Sequence, residues 1–136
     1  MGLDKFAFIV RGVPGSGKST TAQYLAGKSG IVHAVDSYHC DENGNFLWND
    51  DLSEERYQKN FEAFSKSCKM NYSVVVCDCI NIEKKEFQKY IDVARKHGYI
   101  TSTVVLDKPS AQEAHKRNKH SVSKEQIEDM FKRWED

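Results

Sequence analysis

The chain has 136 residues, which predicts a single domain, spanning 1–136, with enough length to bury a core. Basic and acidic residues number 20 each, so a formal net charge of zero gives no global preference for nucleic acid or membrane. The four cysteines have neither zinc-site spacing nor a disulfide pattern, and neither a secretory signal nor a long apolar run is present. These features favour an intracellular protein, cytoplasmic with the nucleus as the alternative.

The first predicted element is a buried strand over the apolar run Phe6–Val10. Arg11 follows it; an arginine at a strand end is ordinarily a solvated charge, and a contact with ligand is the other open role. The stretch Gly12–Thr20 contains the pattern G-x-x-x-x-G-K-[ST], the P-loop, and a helix is predicted from Lys18 to Ala26.

The P-loop predicts a phosphate site built mainly from backbone. Glycines let the chain turn tightly so that several N–H groups point at one phosphate, and the following helix adds the positive end of its dipole. Lys18 is expected to reach the β- and γ-phosphates, and the Ser19 hydroxyl is expected to bind Mg²⁺. The predicted nucleotide-binding residues are Gly12, Pro14, Gly15, Ser16, Gly17, Lys18, Ser19 and Thr20.

A second strand is predicted over Ile31–Val35, next to the strand that leads into the P-loop, with Asp36 at its carboxyl end. Ligands of open parallel sheets lie outside the carboxyl ends of the strands, so Asp36 is expected to face the P-loop ligand. The polar loop that follows carries Phe46 and Trp48. Two roles are open for these aromatic residues, which either cover a substrate pocket or cap the core.

A helix over Leu52–Met70 leads to a third strand over Tyr72–Cys77, whose three consecutive valines are typical of a strand buried on both faces. Asp78 closes that strand. An apolar strand that ends in aspartate resembles a Walker B element, whose carboxylate orients Mg²⁺ or its water ligands. Asp78 is therefore the second predicted metal-binding residue, beside Ser19.

Three residues around Asp78 receive structural interpretations. Cys77 and Cys79 are interpreted as small apolar packing residues and not as ligands. Asn81 is expected to cap the next helix, with a substrate contact as the other open role.

The second half of the chain predicts a helix over Glu83–His97, a strand over Tyr99–Leu106 and a helix that starts at Ser110. The segment from Lys108 to Lys124 is the one locally basic stretch. A solvated helix is the ordinary explanation, but phosphoryl transfer also needs cations in a water-excluding lid, here expected at about 110–122.

A final amphipathic helix is predicted after a capping box that begins at Ser123. This helix is expected to pack against the core through Ile127, Met130, Phe131 and Trp134. The alternation of strands and helices predicts an α/β fold, a three-layer α/β/α P-loop NTPase with a parallel sheet of four to five strands and a helical lid.

A P-loop serves hydrolases, switches and kinases alike. A guanine-reading Asn/Thr-Lys-x-Asp motif, which a GTPase needs, does not occur in the sequence. An AAA-type motor needs a larger body and an arginine that faces a neighbouring subunit. Asp36, which is placed to take a proton from an acceptor hydroxyl, and the late basic segment favour a kinase.

The chain resembles the P-loop polynucleotide kinase family over most of its length, including modules of the Nedd-binding-protein type and the 5′-hydroxyl kinase half of phage polynucleotide kinase. The matching elements are Gly12–Thr20, Asp36 with its loop through Phe46–Asn49, Asp78-x-x-Asn81, Gly98-Tyr99, and Arg117-Asn118-x-His120-x-Val122 followed by Ile127-x-x-Met130.

The resemblance implies that ATP, with Mg²⁺, phosphorylates the 5′-hydroxyl of a DNA or RNA partner. It implies that Asp36 is the general base and that Arg117 is a lid arginine that brackets the phosphates, with Lys18 as the third catalytic residue. Two positions depart from the family pattern. Ser121 stands where the phage enzyme has a basic lid residue, and Ser37 stands where the family often has a second aspartate.

Two other functions fit the same residues. A kinase for a small hydroxyl compound or nucleoside would suit the neutral chain, since polynucleotide grooves are usually basic. A nucleotide-binding interaction module without turnover is the alternative of another class, although intact Lys18, Ser19, Asp36 and Asp78 argue against it.

Overall fold

The fold is a parallel β-sheet between two layers of helices, seen in a computed structural model. The structure describes residues 4–13, 15–35, 50–106, 111–117 and 123–136. Its strands and helices are, in chain order, β1 Phe6–Arg11, α1 Lys18–Ala26, β2 Ile31–Ala34, α2 Asp50–Lys69, β3 Val74–Asp78, α3 Lys84–Lys96, β4 Ile100–Val105, α4 Ala111–Arg117 and α5 Lys124–Arg133.

Four strands form one sheet in the order β2-β3-β1-β4, within the described part of the chain, and every pair is parallel. The strand count and the three-layer α/β/α class confirm the prediction from sequence. The expected pairing of β2 with β1 is wrong, because β3 lies between them. Strands that follow each other in sequence need not be neighbours when a helix connects them.

The two faces of the sheet have separate cores. Ala7, Ile9, Val75 and Cys77 point to one face, where they pack with the apolar sides of α2 and α3. Val10 and Val76 point to the other face, where they pack with Ala22 and Ala26 of α1. Alternate residues of each strand therefore serve opposite cores, as a pleated strand requires when both faces are covered.

Helix α5 packs near the start of the P-loop through a third, smaller cluster. Its buried members are Val13 and Ile127, and its partly buried members are Met130, Phe131 and Trp134. The Ser123 capping box predicted from sequence is present, with Ser123 and Gln126 hydrogen-bonded reciprocally. The predicted attachment of α5 to the core is confirmed.

No described helix is both long enough and apolar enough to cross a membrane.

Candidate functional site

The described residues 12–13 and 15–17 belong to the P-loop turn between β1 and α1; Pro14 lies outside the described residues. Gly15 and Gly17 have φ values of 83° and 89°, a left-handed conformation that glycine adopts without a Cβ clash. The Ser16 N–H donates to Val13 O at 3.2 Å, which closes the turn. A Cβ at Gly12 would collide with Oγ of Ser16. The glycines predicted for phosphate binding therefore permit the backbone path that the P-loop takes.

The Ser16 hydroxyl is a buried polar atom within this turn. Its Oγ has no hydrogen-bond partner among the residues that the structure describes. A buried hydroxyl without a partner costs free energy, and a phosphate oxygen is a suitable acceptor for it. This observation fits a bound phosphate group at the turn.

Lys18 and Asp78 meet at the start of α1. Lys18 is the first residue of α1, Asp78 is the last residue of β3, and Nζ of Lys18 lies 3.8 Å from Oδ1 of Asp78. Their side chains are only 9% and 3% exposed. A cation that can reach phosphate oxygens and a carboxylate that can hold Mg²⁺ or its water ligands therefore lie together.

Ser19 and Thr20 occupy the next two positions of α1, and both are exposed. Residues in the first turn of a helix lie beside its free N–H groups and the positive end of its dipole. Ser19 is therefore placed where a hydroxyl would be available to a cation bound beside phosphate.

Asp36, Phe46 and Trp48 lie outside the described residues. Strand β2 ends at Ala34, which pairs with Asp78 of β3, and Asp78 in turn pairs with Val10 of β1. The carboxyl ends of β1, β2 and β3 are therefore level. Although β3 separates β2 from the P-loop strand, Asp36 follows a strand that ends at the rim occupied by Lys18 and Asp78.

Arg117 is the last residue of α4, inside the segment predicted to form a lid. Its side chain is 60% exposed, and its Nη2 lies 3.7 Å from Oε2 of Glu113 on the same helix. Residue 110 and residues 118–122 of the predicted lid lie outside the described residues. Helix α4 packs on α5, so the helix predicted to belong to the lid is attached to the helix that covers Val13.

Asn81 does not cap α3, and that expectation is wrong. The N-cap is Glu83, which forms a capping box with Glu86. Asn81 is buried with φ 53°, and its Nδ2 donates to Val10 O at 2.9 Å and to Cys79 O at 3.3 Å. Asparagine tolerates this left-handed conformation better than most residues do. Its side chain ties the loop after Asp78 to β1.

Arg11 is also not the solvated charge expected from sequence. It is 2% exposed, and its guanidinium donates to backbone carbonyls of Asn81, Ile82 and Glu135. Burial lowers the Arg11 pKa, while the nearby carboxylates of Asp136, Glu86 and Glu135 oppose that shift. Nothing in the local sequence distinguishes it from an exposed strand-end arginine, because all its partners lie about 70 residues or more away along the chain.

The cysteines of this region pack as apolar residues, as predicted. Cys77 and Cys79 are buried, and burial raises the pKa of the Cys77 thiol well above its usual range. Within the described ranges, no group of three or more His, Cys, Asp or Glu residues could hold a metal ion. Ser19 and Asp78 are the residues that the sequence predicts to hold Mg²⁺.

A family model described as AAA domain, AAA_33, matches residues 8–136. The match begins inside β1 and includes the P-loop, Asp78 and α5.

Several solved structures share the fold. A gluconokinase from Sinorhizobium meliloti is 22% identical, with a TM-score of 0.64 over 96% of this chain and 75% of the gluconokinase chain. A chain of the Pnkp1/Rnl/Hen1 RNA repair complex is 20% identical, with a TM-score of 0.71 over 98% of this chain.

An APS kinase from Mycobacterium tuberculosis is 18% identical, with a TM-score of 0.53 over 97% of this chain and 98% of the kinase. The present chain spans only 45% of the RNA repair chain. At these identities the likeness is one of fold, and the similar structures include a chain of an RNA repair complex, a gluconokinase and an APS kinase.

Proposed function

The chain belongs to the AAA domain family AAA_33, and from that membership and its P-loop kinase-like fold we propose that it is an ATP-dependent polynucleotide kinase. It transfers the γ-phosphate of ATP to the 5′-hydroxyl of DNA or RNA. The observation that carries the proposal is the buried Lys18–Asp78 pair beside the P-loop turn. The resemblance of Asp36, Asp78-x-x-Asn81 and Arg117-Asn118 to polynucleotide kinases supports the choice of acceptor.

Each of the predicted site residues has a role in the proposed reaction. The P-loop turn and Lys18 bind the triphosphate, and Asp36 accepts the proton of the acceptor hydroxyl as the phosphoryl group transfers. Arg117 stabilises the charge that develops on the phosphates once the lid covers them. Ser19 and Asp78 would hold Mg²⁺, which when bound neutralises charge between the β- and γ-phosphates.

The second candidate is a kinase for a small hydroxyl compound or nucleoside. The neutral net charge of the chain favours it, because binding to a polynucleotide usually needs a basic surface. The fold shared with a gluconokinase is equally compatible with it. A nucleotide-binding module without turnover is the remaining alternative.

A direct assay separates these functions. The purified chain is incubated with γ-labelled ATP and Mg²⁺, and with 5′-hydroxyl DNA, 5′-hydroxyl RNA, 5′-phosphate oligonucleotides of the same sequences, or a panel of sugars, sugar acids and nucleosides. Label on the 5′-hydroxyl oligonucleotides alone is expected. The Lys18→Met variant serves as the control for a contaminating kinase.

Label only on small molecules would contradict the polynucleotide proposal in favour of the second candidate. ATP binding without label on any acceptor would instead support the interaction module. Both outcomes leave the fold and the family assignment unchanged.

A further inference from the structure

Arg11 is a buried cation that directly precedes the first glycine of the P-loop. Its guanidinium lies between two aromatic rings, 4.1 Å from the centroid of Phe87 and 4.4 Å from that of Trp134. A buried arginine is strongly unfavourable unless its donors are bonded and its charge is stabilised. The partners of Arg11 therefore indicate which parts of the fold it holds together.

Two of its hydrogen bonds go to the loop that follows Asp78. Nε donates to Asn81 O at 2.8 Å, and Nη2 donates to Ile82 O at 3.0 Å. The same loop makes two further hydrogen bonds to the end of β1. Asn81 Nδ2 donates to Val10 O at 2.9 Å, and Gly12 N donates to Ile80 O at 3.2 Å. Residues 80–82 are thus bonded to residues 10–12 at four points.

A third bond of Arg11 goes to the chain after α5, because Nη2 also donates to Glu135 O. The Glu135 N–H donates to Ile82 O at 2.9 Å, so the same carbonyl accepts from both Arg11 and Glu135. Helix α5 packs on Val13, and α4 packs on α5. Arg11 is therefore the point where the P-loop, the loop after Asp78 and the end of α5 meet.

The geometry points to Arg11 as a positioning residue that holds the P-loop, the loop after Asp78 and α5 in the one arrangement in which Lys18 meets Asp78. Its effect on phosphoryl transfer rests on the proposed function. Lysine cannot replace it, because a guanidinium carries donors in several directions and stacks on rings, whereas an ammonium is a compact point charge.

The alternative is that Arg11 contributes only to global stability. The positioning role and the purely structural role predict different rates of hydrogen exchange at one backbone amide. The Gly12 N–H bonds to Ile80 O across the junction, and its hydrogen exchange reports local opening of the P-loop from the loop after Asp78. The Val76 amide, in the centre of the sheet, reports opening of the sheet itself.

The test compares hydrogen exchange by NMR in the wild-type chain, in Arg11→Lys and in Phe64→Leu. Phe64 is fully buried in the core formed with α2 and α3, where its ring contacts His33 and Tyr90, so Phe64→Leu lowers stability without removing a partner of Arg11. Loss of hydrogen bonds to a buried charge is expected to speed exchange at Gly12 and Glu135 about tenfold to a hundredfold in Arg11→Lys. Val76 should change much less, and Phe64→Leu should not single out these two amides.

Equal acceleration at Gly12 and Val76 in Arg11→Lys would overturn the inference in favour of a purely structural role. If Arg11→Lys does not fold, Trp134→Leu replaces it, because it removes one face of the ring contact and leaves the hydrogen bonds of Arg11 possible. In Trp134→Leu, faster hydrogen exchange at Gly12 and Glu135 than at Val76 supports the inference, even if the acceleration is smaller than in Arg11→Lys. Equal acceleration at all three amides opposes it.

Binding of a fluorescent ATP analogue with Mg²⁺ gives the functional readout. About tenfold weaker binding to Arg11→Lys than to wild type is expected, with Phe64→Leu close to wild type. Equal affinity of Arg11→Lys and wild type would contradict the positioning role. If wild type itself does not bind the analogue, the proposed function fails, and the exchange data alone decide the role of Arg11.

Discussion

Nζ of Lys18 lies 3.8 Å from Oδ1 of Asp78, so the lysine of the P-loop and the acid that ends β3 form a buried ion pair. The two residues are 60 positions apart in sequence and come together because β3 pairs directly with β1. Phosphate binding by Lys18 and cation binding by Asp78 would therefore act at adjacent points.

The pair predicts a large loss of stability in either single variant. Lys18→Met removes the cation that lies beside a buried carboxylate, and Asp78→Asn removes the negative charge beside a buried ammonium; each is expected to lower the free energy of unfolding by about 3 kcal/mol. Lys18→Met/Asp78→Asn should lose clearly less than the sum of the two. Urea denaturation of wild type, the two single variants and the double variant measures these losses of stability. Additive losses would show that the two charges do not interact.

Asp36→Asn tests the proposed general base. The substitution keeps size and polarity but removes the proton acceptor, so ATP binding should persist while turnover falls about a hundredfold or more. Equilibrium binding of an ATP analogue and transfer of label to a 5′-hydroxyl oligonucleotide measure the two effects. Asp92→Asn, an exposed aspartate on α3, is the matched control. Near-normal turnover of Asp36→Asn would remove this residue from the mechanism.

Arg117→Gln tests the lid arginine. The ion pair with Glu113 is exposed on both sides, so its loss should change stability by less than about 0.5 kcal/mol. Turnover is expected to fall about a thousandfold, by analogy with arginine fingers. Lys116→Gln, its exposed neighbour on α4, should retain activity. An equal loss in both variants would point to the general charge of the helix and not to Arg117.

The free energy of unfolding is expected to depend on pH through the partly buried side chain of His33. Burial lowers its pKa below the ordinary value of 6.5, and Nε2 lies 2.8 Å from Oγ of Ser67. As the pH falls below about 6.5, the unfolded chain takes up a proton at His33 before the folded chain does, so the free energy of unfolding decreases. His33→Gln keeps a polar group near Ser67 but does not titrate.

The measurement is the melting temperature of wild type and His33→Gln between pH 7.5 and 5. The wild-type value should fall more steeply on acidification than that of the variant. Parallel curves would show that protonation of His33 is not linked to folding.

The predictable part of the site is the part encoded locally. The P-loop spacing, its flanking strand and helix, and the Ser123 capping box each lie within a few residues, so their short-range chemistry identifies them. Asp78 is recognisable because an apolar strand precedes it directly. These elements appear in the structure close to the predicted bounds.

The parts that could not be predicted depend on distant partners. Asn81 has the composition of a helix cap, but Glu83 and Glu86 cap α3 themselves, and Asn81 bonds to Val10 instead. Arg11 is buried because Phe87 and Trp134 arrive from other elements to cover it. The order of β1 and β2 in the sheet likewise depends on helical connections whose length does not specify which strand lies next to which.

The strand order also constrains the sequence of folding events. Strand β1 pairs with β3 and β4, and β2 pairs with β3, so neither of the first two strands finds its partner within the first half of the chain. On the ribosome, no strand pair among the described residues can form until Val74–Asp78 has emerged from the exit tunnel. Until then the apolar run of β1 remains unpaired, a condition in which nascent chains are prone to aggregate and need chaperones.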